Sequence, residues 1–220
     1  TVKTVNGKKP VFFGLDAKND FYAKNIKNSG DGKVLATLCF DNNNIDVEIP
    51  AIGTYMVTNA LAAAAAGKLL GLTDEEIANG VASYKTVGSR ANVINTGKIK
   101  IIDDCYNANP TSVRASLDTL SNLDGRKVAI LGDMKELGSE ELKLHFDTGV
   151  YAKSKGIGTV ITVGELAKEL AKGADGKAFD TIEDAKPEIL KTIKSGDVVL
   201  VKASHSMQFE NIVEFLKQNF

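Results

Sequence analysis

The sequence has few of the Cys and His residues on which disulfide-rich proteins and many metal-binding proteins depend. It contains no Trp, two Cys and two His among 220 residues. Cys39 and Cys105 are too few and too far apart to form a disulfide framework, so we expect both to be reduced, as in a cytoplasmic protein. No cluster of Cys and His has metal-ligand spacing. The sequence therefore predicts no metal site of its own.

Five further absences narrow the range of possible functions. Lys and Arg number 27 against 28 Asp and Glu, so the chain lacks the basic surplus that is typical of nucleic-acid-binding proteins. The longest apolar run, near Ala60–Ala66, is interrupted by Lys68 and is too short to span a bilayer. The first residues show no charged n-region, apolar h-region and cleavage site in series, so we do not expect secretion. No Gly-Lys pair is followed by Ser or Thr, and no GxGxxG follows a strand, which excludes a Walker A loop and a dinucleotide fingerprint in this sequence.

The first part of the chain is typical of antiparallel strands followed by helices. Four β-favouring runs are separated by turn-forming residues: PVFFGL, FYAKNIK, KVLATLCF and IDVEIP. An alanine-rich helix is predicted over 55–70, and Thr73 with Glu76 forms a capping box that begins another helix. Because so few strands and one apolar helix make a poor core alone, we expect residues 1–88 to be the α+β end of a larger domain and the less stable half.

The second part alternates strands with helices. Its strands are continuous apolar runs, and the intervening segments have helical periodicity. That pattern predicts a doubly wound α/β domain with a mostly parallel sheet covered on both faces. We place this domain at residues 89–220 and predict a hinge at 85–95.

Ligands of such sheets bind beyond the carboxyl ends of the strands. The segment DDCYNANPTS, residues 103–112, follows the first of these strands, with Asn109 able to cap a helix that begins at Pro110. Asp103 and Asp104 would stand at the end of the strand. From spacing alone, a carboxylate there either bonds its own loop or accepts a hydrogen bond from a ribose hydroxyl.

Three other positions are open to similar alternatives. Asp133, in GDMKELG, lies either in a solvated loop or at a ligand. Lys202 ends an apolar strand, so its ammonium must reach solvent or meet an anion. His205 is either exposed or a donor to an anion, and Arg90 in the hinge either pairs with an acidic residue or reaches a phosphate.

These segments resemble the Mur ligase family. The resemblance rests on DDCYNANPTSVRASLDTL, GRKVAILGDMKELG and LVKASHSMQFENIVEFL, with IPAIGTYMVTNALAAAAAGKLLGL and GSR before them. It implies that residues 1–88 are the last part of a P-loop-type central ATPase domain and that 89–220 are a Rossmann-like C-terminal domain. It also implies an enzyme of peptidoglycan synthesis that uses ATP and Mg²⁺ to join D-Ala-D-Ala to UDP-N-acetylmuramoyl-tripeptide through an acyl phosphate.

The resemblance also assigns roles to single residues. It implies that Asn59 reads adenine, that Arg90 lies along the nucleotide and that Asp104 contacts ribose, so that all three line one crevice. Other residues would face nucleotide or acceptor: Tyr106, Asn107 and Asn109 in the same loop, and Asp133, Lys202 and His205 on the substrate side. Two positions depart from the family, since Tyr55 stands where a histidine is frequent and His205 where arginine is common.

The phosphate loop, the magnesium ligands and the modified lysine of the family are expected before Thr1. We therefore expect these 220 residues to be a monomer without tightly bound cofactor, unable to catalyse ligation alone. Two alternatives remain at this stage. One is a ligase resembling folylpolyglutamate synthase, which has a different acceptor, and the other is a non-catalytic nucleotide-binding module.

Overall fold

A computed structural model describes residues 3–4, 7–29, 32–86 and 88–220. The chain divides into two compact units, Thr1–Lys85 and Thr86–Phe220. Each unit has its own sheet and its own core, and each is described separately below.

The first unit is a three-stranded antiparallel sheet with two helices. The strands follow chain order in the sheet, and the helices come after them: β1 Tyr22–Ser29, β2 Lys33–Phe40, β3 Asn43–Ile49, α1 Met56–Leu69 and α2 Asp74–Ala82. Asp41 and Asn42 connect β2 to β3 with φ of 48° and 61°. Positive φ at both residues of a two-residue loop matches the twist of the hairpin, which explains the Asp-Asn pair at this turn.

The alanines of α1 let the helix lie close to the sheet. Val57, Leu61 and Ala64 are fully buried, and they belong to a contiguous core that includes Leu38 of β2. The first unit therefore has a contiguous core, and the expectation that residues 1–88 are the end of a larger domain stays a prediction. The predicted capping box is present, because the Glu76 amide donates to Thr73 Oγ1 while the Thr73 amide donates to Glu76 Oε2.

The sequence predicts a strand at PVFFGL, but in the structure this segment does not form one. Phe13 makes only an isolated bridge to Phe21. The Phe12 amide donates to the Asp20 carboxylate at 2.8 Å, and the Gly14 amide donates to the Phe21 carbonyl. These bonds close a short loop, so the apolar residues of the segment have no strand ladder to join.

The second unit is an α/β domain with a six-stranded sheet of order β4-β5-β9-β6-β7-β8. Its elements alternate along the chain: β4 Asn92–Asn95, β5 Lys100–Asp103, α3 Pro110–Ser121, β6 Arg126–Gly132, α4 Glu141–Ser154, β7 Thr159–Val163, α5 Ala167–Ala174, β8 Lys177–Phe179, α6 Ile182–Thr192, β9 Asp197–Lys202 and α7 Glu210–Asn219. Only the β4–β5 pair among the named strands of this sheet is antiparallel. The predicted mostly parallel α/β fold is confirmed.

Both faces of this sheet are covered. Every residue of β9 is buried, and its alternate side chains Val199 and Val201 share a core with Ile189 of α6 and Ile212 of α7. Leu200, on the opposite face, is also fully buried. This explains why the strands are apolar runs without alternation.

The end of the predicted hinge is part of the sheet. Residues 92–95 form β4 and pair antiparallel with β5, from Asn92 opposite Asp103 to Asn95 opposite Lys100. The short strand escaped the sequence analysis because only Val93 and Ile94 in it are apolar, and Val93 is exposed at the sheet edge.

Candidate functional site

Three loops meet at the carboxyl edge of the second sheet. β5, β9 and β6 are neighbours, with Asp103 opposite Val201 and Leu131 opposite Lys202. The residues after each strand therefore lie together: 104–109, 133–138 and 203–209. This is the edge at which ligands of parallel sheets bind.

Asp103 and Asp104 are both buried rather than open to solvent. Asp104 Oδ1 accepts a hydrogen bond from the Ala91 amide at 3.1 Å, and Oδ2 accepts one from Ser116 Oγ at 2.7 Å. Asp103 Oδ1 accepts a weak bond from the amide of Cys105. Burial, reinforced by Asp103, raises the pKa of the Cys105 thiol, so this cysteine is not a nucleophile at neutral pH.

Lys202 meets an anion inside the protein. Its ammonium lies 2.6 Å from Asp104 Oδ2 and donates to the Asn107 carbonyl at 2.9 Å, and the residue is 3% exposed. The ion pair joins the ends of β5 and β9 and holds the loop between Asp104 and Asn109.

The exposed part of this loop carries an aromatic ring. The Arg90 guanidinium lies 3.6 Å from the centre of the Tyr106 ring, and the His205 ring lies 6.0 Å away on a tilted plane. The side chain of Asn109 is the N-cap of α3, because its Oδ1 accepts a hydrogen bond from the Ser112 amide. Asn107 Oδ1 accepts the amide of Ala108.

Hydrogen bonds at Asp133 and Lys135 connect the loop 133–138 to the loop 203–209 and to the start of α5. Its Oδ1 accepts the Ala167 amide at 2.8 Å and its Oδ2 pairs with Lys135 Nζ at 2.7 Å. The Ser204 amide donates to the Asp133 carbonyl, and Ser204 Oγ accepts the Lys135 amide. The Asp133 side chain is buried, while the Lys135 side chain as a whole is 45% exposed.

A cavity of about 450 Å³ lies between these loops. It is lined by Tyr106, Asn107, Lys135, Glu136, Ser204, His205 and Ser206. Four of these lining residues were not among the predicted site residues: Lys135, Glu136, Ser204 and Ser206. Lys135 and Glu136 stand in the same GDMKELG segment as Asp133. The lining combines the ammonium of Lys135 and the carboxylate of Glu136 with hydroxyl and imidazole groups, which suits a small polar ligand that both donates and accepts hydrogen bonds.

The first unit has a second cavity, of about 440 Å³. Mostly apolar side chains of α1, α2 and β3 line it, among them Ala60, Ile77 and Val81. Asn59 is exposed at this cavity, and its Nδ2 donates to Met56 Sδ at 3.4 Å. The lining offers a nonpolar surface together with the amide of Asn59 and the carboxyl group of Glu76. That Asn59 shares one crevice with Arg90 and Asp104 stays a prediction.

The residues described here do not suit Mg²⁺. Within 3–4, 7–29, 32–86 and 88–220, no group of three or more His, Cys, Asp or Glu could hold a metal ion. The oxygens of Asp104 and Asp133 already bond protein donors. Nor, in this part of the chain, is any helix long and apolar enough to cross a membrane.

Comparison with protein families places the chain in a class. Residues 89–205 match the model "Mur ligase, glutamate ligase domain", and residues 2–67 match "Mur ligase middle domain". The chain belongs to the Mur ligase family.

Similar proteins within the family carry one name. The chain is 34% identical to the UDP-N-acetylmuramoyl-tripeptide--D-alanyl-D-alanine ligase of Bacillus subtilis over 93% of its length, and 33% identical to that of Escherichia coli over 92%. It covers 46% of each of these relatives, so it spans about half of their length.

Solved structures agree with the fold. A MurF structure from Acinetobacter baumannii matches 94% of the chain with a TM-score of 0.87 and 30% identity, and the chain covers 46% of it. MurF from Thermotoga maritima in complex with ADP matches 96% with a TM-score of 0.85 and 26% identity, and the chain covers 49% of it.

Proposed function

We propose that this chain forms the adenosine-facing and acceptor-facing part of an ATP-dependent ligase that adds D-Ala-D-Ala to UDP-N-acetylmuramoyl-tripeptide. The observation that carries the proposal is the Arg90–Tyr106 stack beside the 450 Å³ polar cavity, at the carboxyl edge of the sheet. The names of the relatives and the ADP complex of the Thermotoga maritima protein support it. Since ATP is the co-substrate, we place the reaction in the cytoplasm.

The proposed chemistry has two steps. A carboxylate oxygen of the tripeptide attacks the γ-phosphorus of ATP, the bond to the β-phosphate oxygen breaks, and an acyl phosphate and ADP form. The uncharged amine of D-Ala-D-Ala then attacks the acyl carbon, inorganic phosphate leaves with the C–O electron pair, and the amine loses a proton. Catalysis of such steps depends mainly on positioning and on neutralising charge.

Each unit contributes a different part of this task. In the first unit, Asn59 reads the edge of the adenine at the apolar cavity. In the second, Arg90 lies along the nucleotide, with its guanidinium oriented by Tyr106. Lys135 and His205 face the acceptor, and Asn107 lines its cavity, while Asn109 caps α3 at the end of the same loop.

Calorimetric titration of the 220-residue chain tests this proposal. We expect ADP and ATP to bind in preference to GTP, and Arg90→Ala to weaken that binding about tenfold, as expected for loss of a charge-assisted contact. D-Ala-D-Ala should bind and glutamate should not. Preferential binding of glutamate would favour the acceptor of folylpolyglutamate synthase, and binding of neither acceptor would favour a module that binds nucleotide alone.

These 220 residues should not hydrolyse ATP by themselves, because the sequence contains no phosphate loop. Magnesium-dependent ATP turnover by the purified chain would contradict the proposed division of roles.

A further inference from the structure

Ala91, the residue after Arg90, has an unusual backbone conformation. Its φ is 54°, in the left-handed region that a residue with a Cβ atom occupies only when surrounding contacts hold it there. Ala91 connects Arg90 to Asn92, the first residue of β4. The direction in which Arg90 leaves the sheet therefore depends on what fixes Ala91.

Two hydrogen bonds fix this segment to the loop after β5. The Ala91 amide donates to Asp104 Oδ1 at 3.1 Å, and the Tyr106 amide donates to the Ser89 carbonyl at 2.9 Å. Arg90 is between the two bonded residues, and its guanidinium stacks on the ring of Tyr106.

The carboxylate that holds Ala91 is itself fixed from the other side. Asp104 Oδ2 accepts from Lys202 Nζ at 2.6 Å and from Ser116 Oγ at 2.7 Å, which leaves Oδ1 directed at the Ala91 amide. Asp104 is 8% exposed and Lys202 3%. A buried carboxylate requires such a cation, because desolvation of an uncompensated charge is costly.

We infer that Lys202 is a positioning residue, which acts on the nucleotide through Asp104 and Arg90 and not by contact with it. The ion pair holds the left-handed turn at Ala91, and that turn places the Arg90 guanidinium on Tyr106. The inference rests on the proposed function only for the identity of the ligand that Arg90 meets.

NMR of the 220-residue chain tests the positioning without any ligand. Because the guanidinium lies over the face of Tyr106, the side-chain proton signals of Arg90 should be displaced upfield, and Tyr106→Leu should abolish the displacement. The double variant Asp104→Ala/Lys202→Met removes both charges together and should also lose it. Lys100→Met, an exposed lysine at the opposite end of β5, is the matched control and should keep it.

A milder variant keeps the test decisive if the double variant does not fold. Ser116→Ala removes one donor to Asp104 Oδ2 and leaves no charge unpaired, so it should reduce the displacement in a folded protein. If the double variant Asp104→Ala/Lys202→Met folds, an unchanged Arg90 signal in it would overturn the inference. If the double variant does not fold, an unchanged Arg90 signal in Ser116→Ala would do so.

A mutant cycle on ADP affinity then separates positioning from general stabilisation. Arg90→Ala should cost about tenfold in the otherwise unchanged chain and almost nothing in the Asp104→Ala/Lys202→Met background. Independent, multiplicative losses would show that the pair does not act through Arg90. If the unaltered chain binds no nucleotide, the proposed function fails, while the Arg90 signals still decide the positioning.

Discussion

His145 of α4 accepts a hydrogen bond from the backbone of Met134, in the loop after β6. The Met134 amide lies 2.9 Å from His145 Nε2, and His145 Nδ1 lies 2.7 Å from the Glu141 carbonyl. Since a carbonyl can only accept, Nδ1 carries the proton and Nε2 is the acceptor. The fully buried ring thus fastens the loop that carries Asp133 and Lys135 to a helix.

Replacement of His145 by leucine should therefore destabilise the second unit. The Met134 amide would lose its acceptor in a buried place, which costs about 1–3 kcal/mol of unfolding free energy. Urea denaturation measures this loss. Leu142→Ala, an exposed change on the same helix, is the control, and equal stability of the two variants would contradict the role of the ring.

Gly149 permits the close approach of α4 and α5. A Cβ atom at this position would lie 2.0 Å from the Leu170 carbonyl oxygen, so the two helices would have to separate. We expect Gly149→Ala to lower the unfolding free energy by about 1–3 kcal/mol in spite of the higher helix propensity of alanine. Gly158→Ala, where no atom lies within 4 Å of the added carbon, serves as the control in the same unit. Thermal unfolding compares them, and a neutral Gly149→Ala would refute the close contact.

The capping box of α2 should be sensitive to acid. The Thr73 amide bond holds the pKa of Glu76 below its usual value of 4.5. A carboxylate with a lowered folded pKa stabilises the helix above the unfolded value, and this contribution disappears as the pH falls through the folded one. The Thr73 amide proton should therefore titrate by NMR with a midpoint below that of a peptide spanning residues 73–82. Glu76→Gln should remove the titration, and a midpoint equal to the peptide's would contradict the cap.

The sequence predicted the elements better than the contacts between them. Apolar runs, the Thr73 capping box and Pro110 after Asn109 are local signals, and they predict strands β5 to β9 of the second sheet and the starts of α2 and α3, but not β4. The pairing of Lys202 with Asp104 joins residues 98 apart, because β9 lies beside β5 in the sheet. This strand order cannot be deduced from any local sequence pattern. The same holds for His145 and Met134, whose bond depends on how α4 packs.

Asn59 should control which base the first unit accepts. An asparagine amide can bond both N6 and N7 of adenine, whereas guanine presents an acceptor in place of the N6 donor. Asn59→Ala should therefore weaken ATP binding by about tenfold and leave the weaker GTP binding nearly unchanged. Asn79→Ala, an exposed asparagine of α2 that does not line the cavity, is the control. Equal losses for both nucleotides in Asn59→Ala would show that Asn59 does not read the base.

Lys135 should bind the carboxylate of the acceptor. Lys135 lines the 450 Å³ cavity, its Nζ lies 2.7 Å from Asp133 Oδ2, and its side chain is 45% exposed. Lys135→Met should weaken D-Ala-D-Ala binding about tenfold, as expected for loss of a charge-assisted hydrogen bond, measured from the amide shifts of Ser204 and Ser206. The amide of the same dipeptide has no carboxylate, so the unaltered chain and Lys135→Met should bind it equally. Lys143→Met, on the exposed side of α4, should behave like the unaltered chain with both ligands. If Lys135→Met loses affinity for the amide as much as for the acid, the residue shapes the cavity and does not recognise the charge.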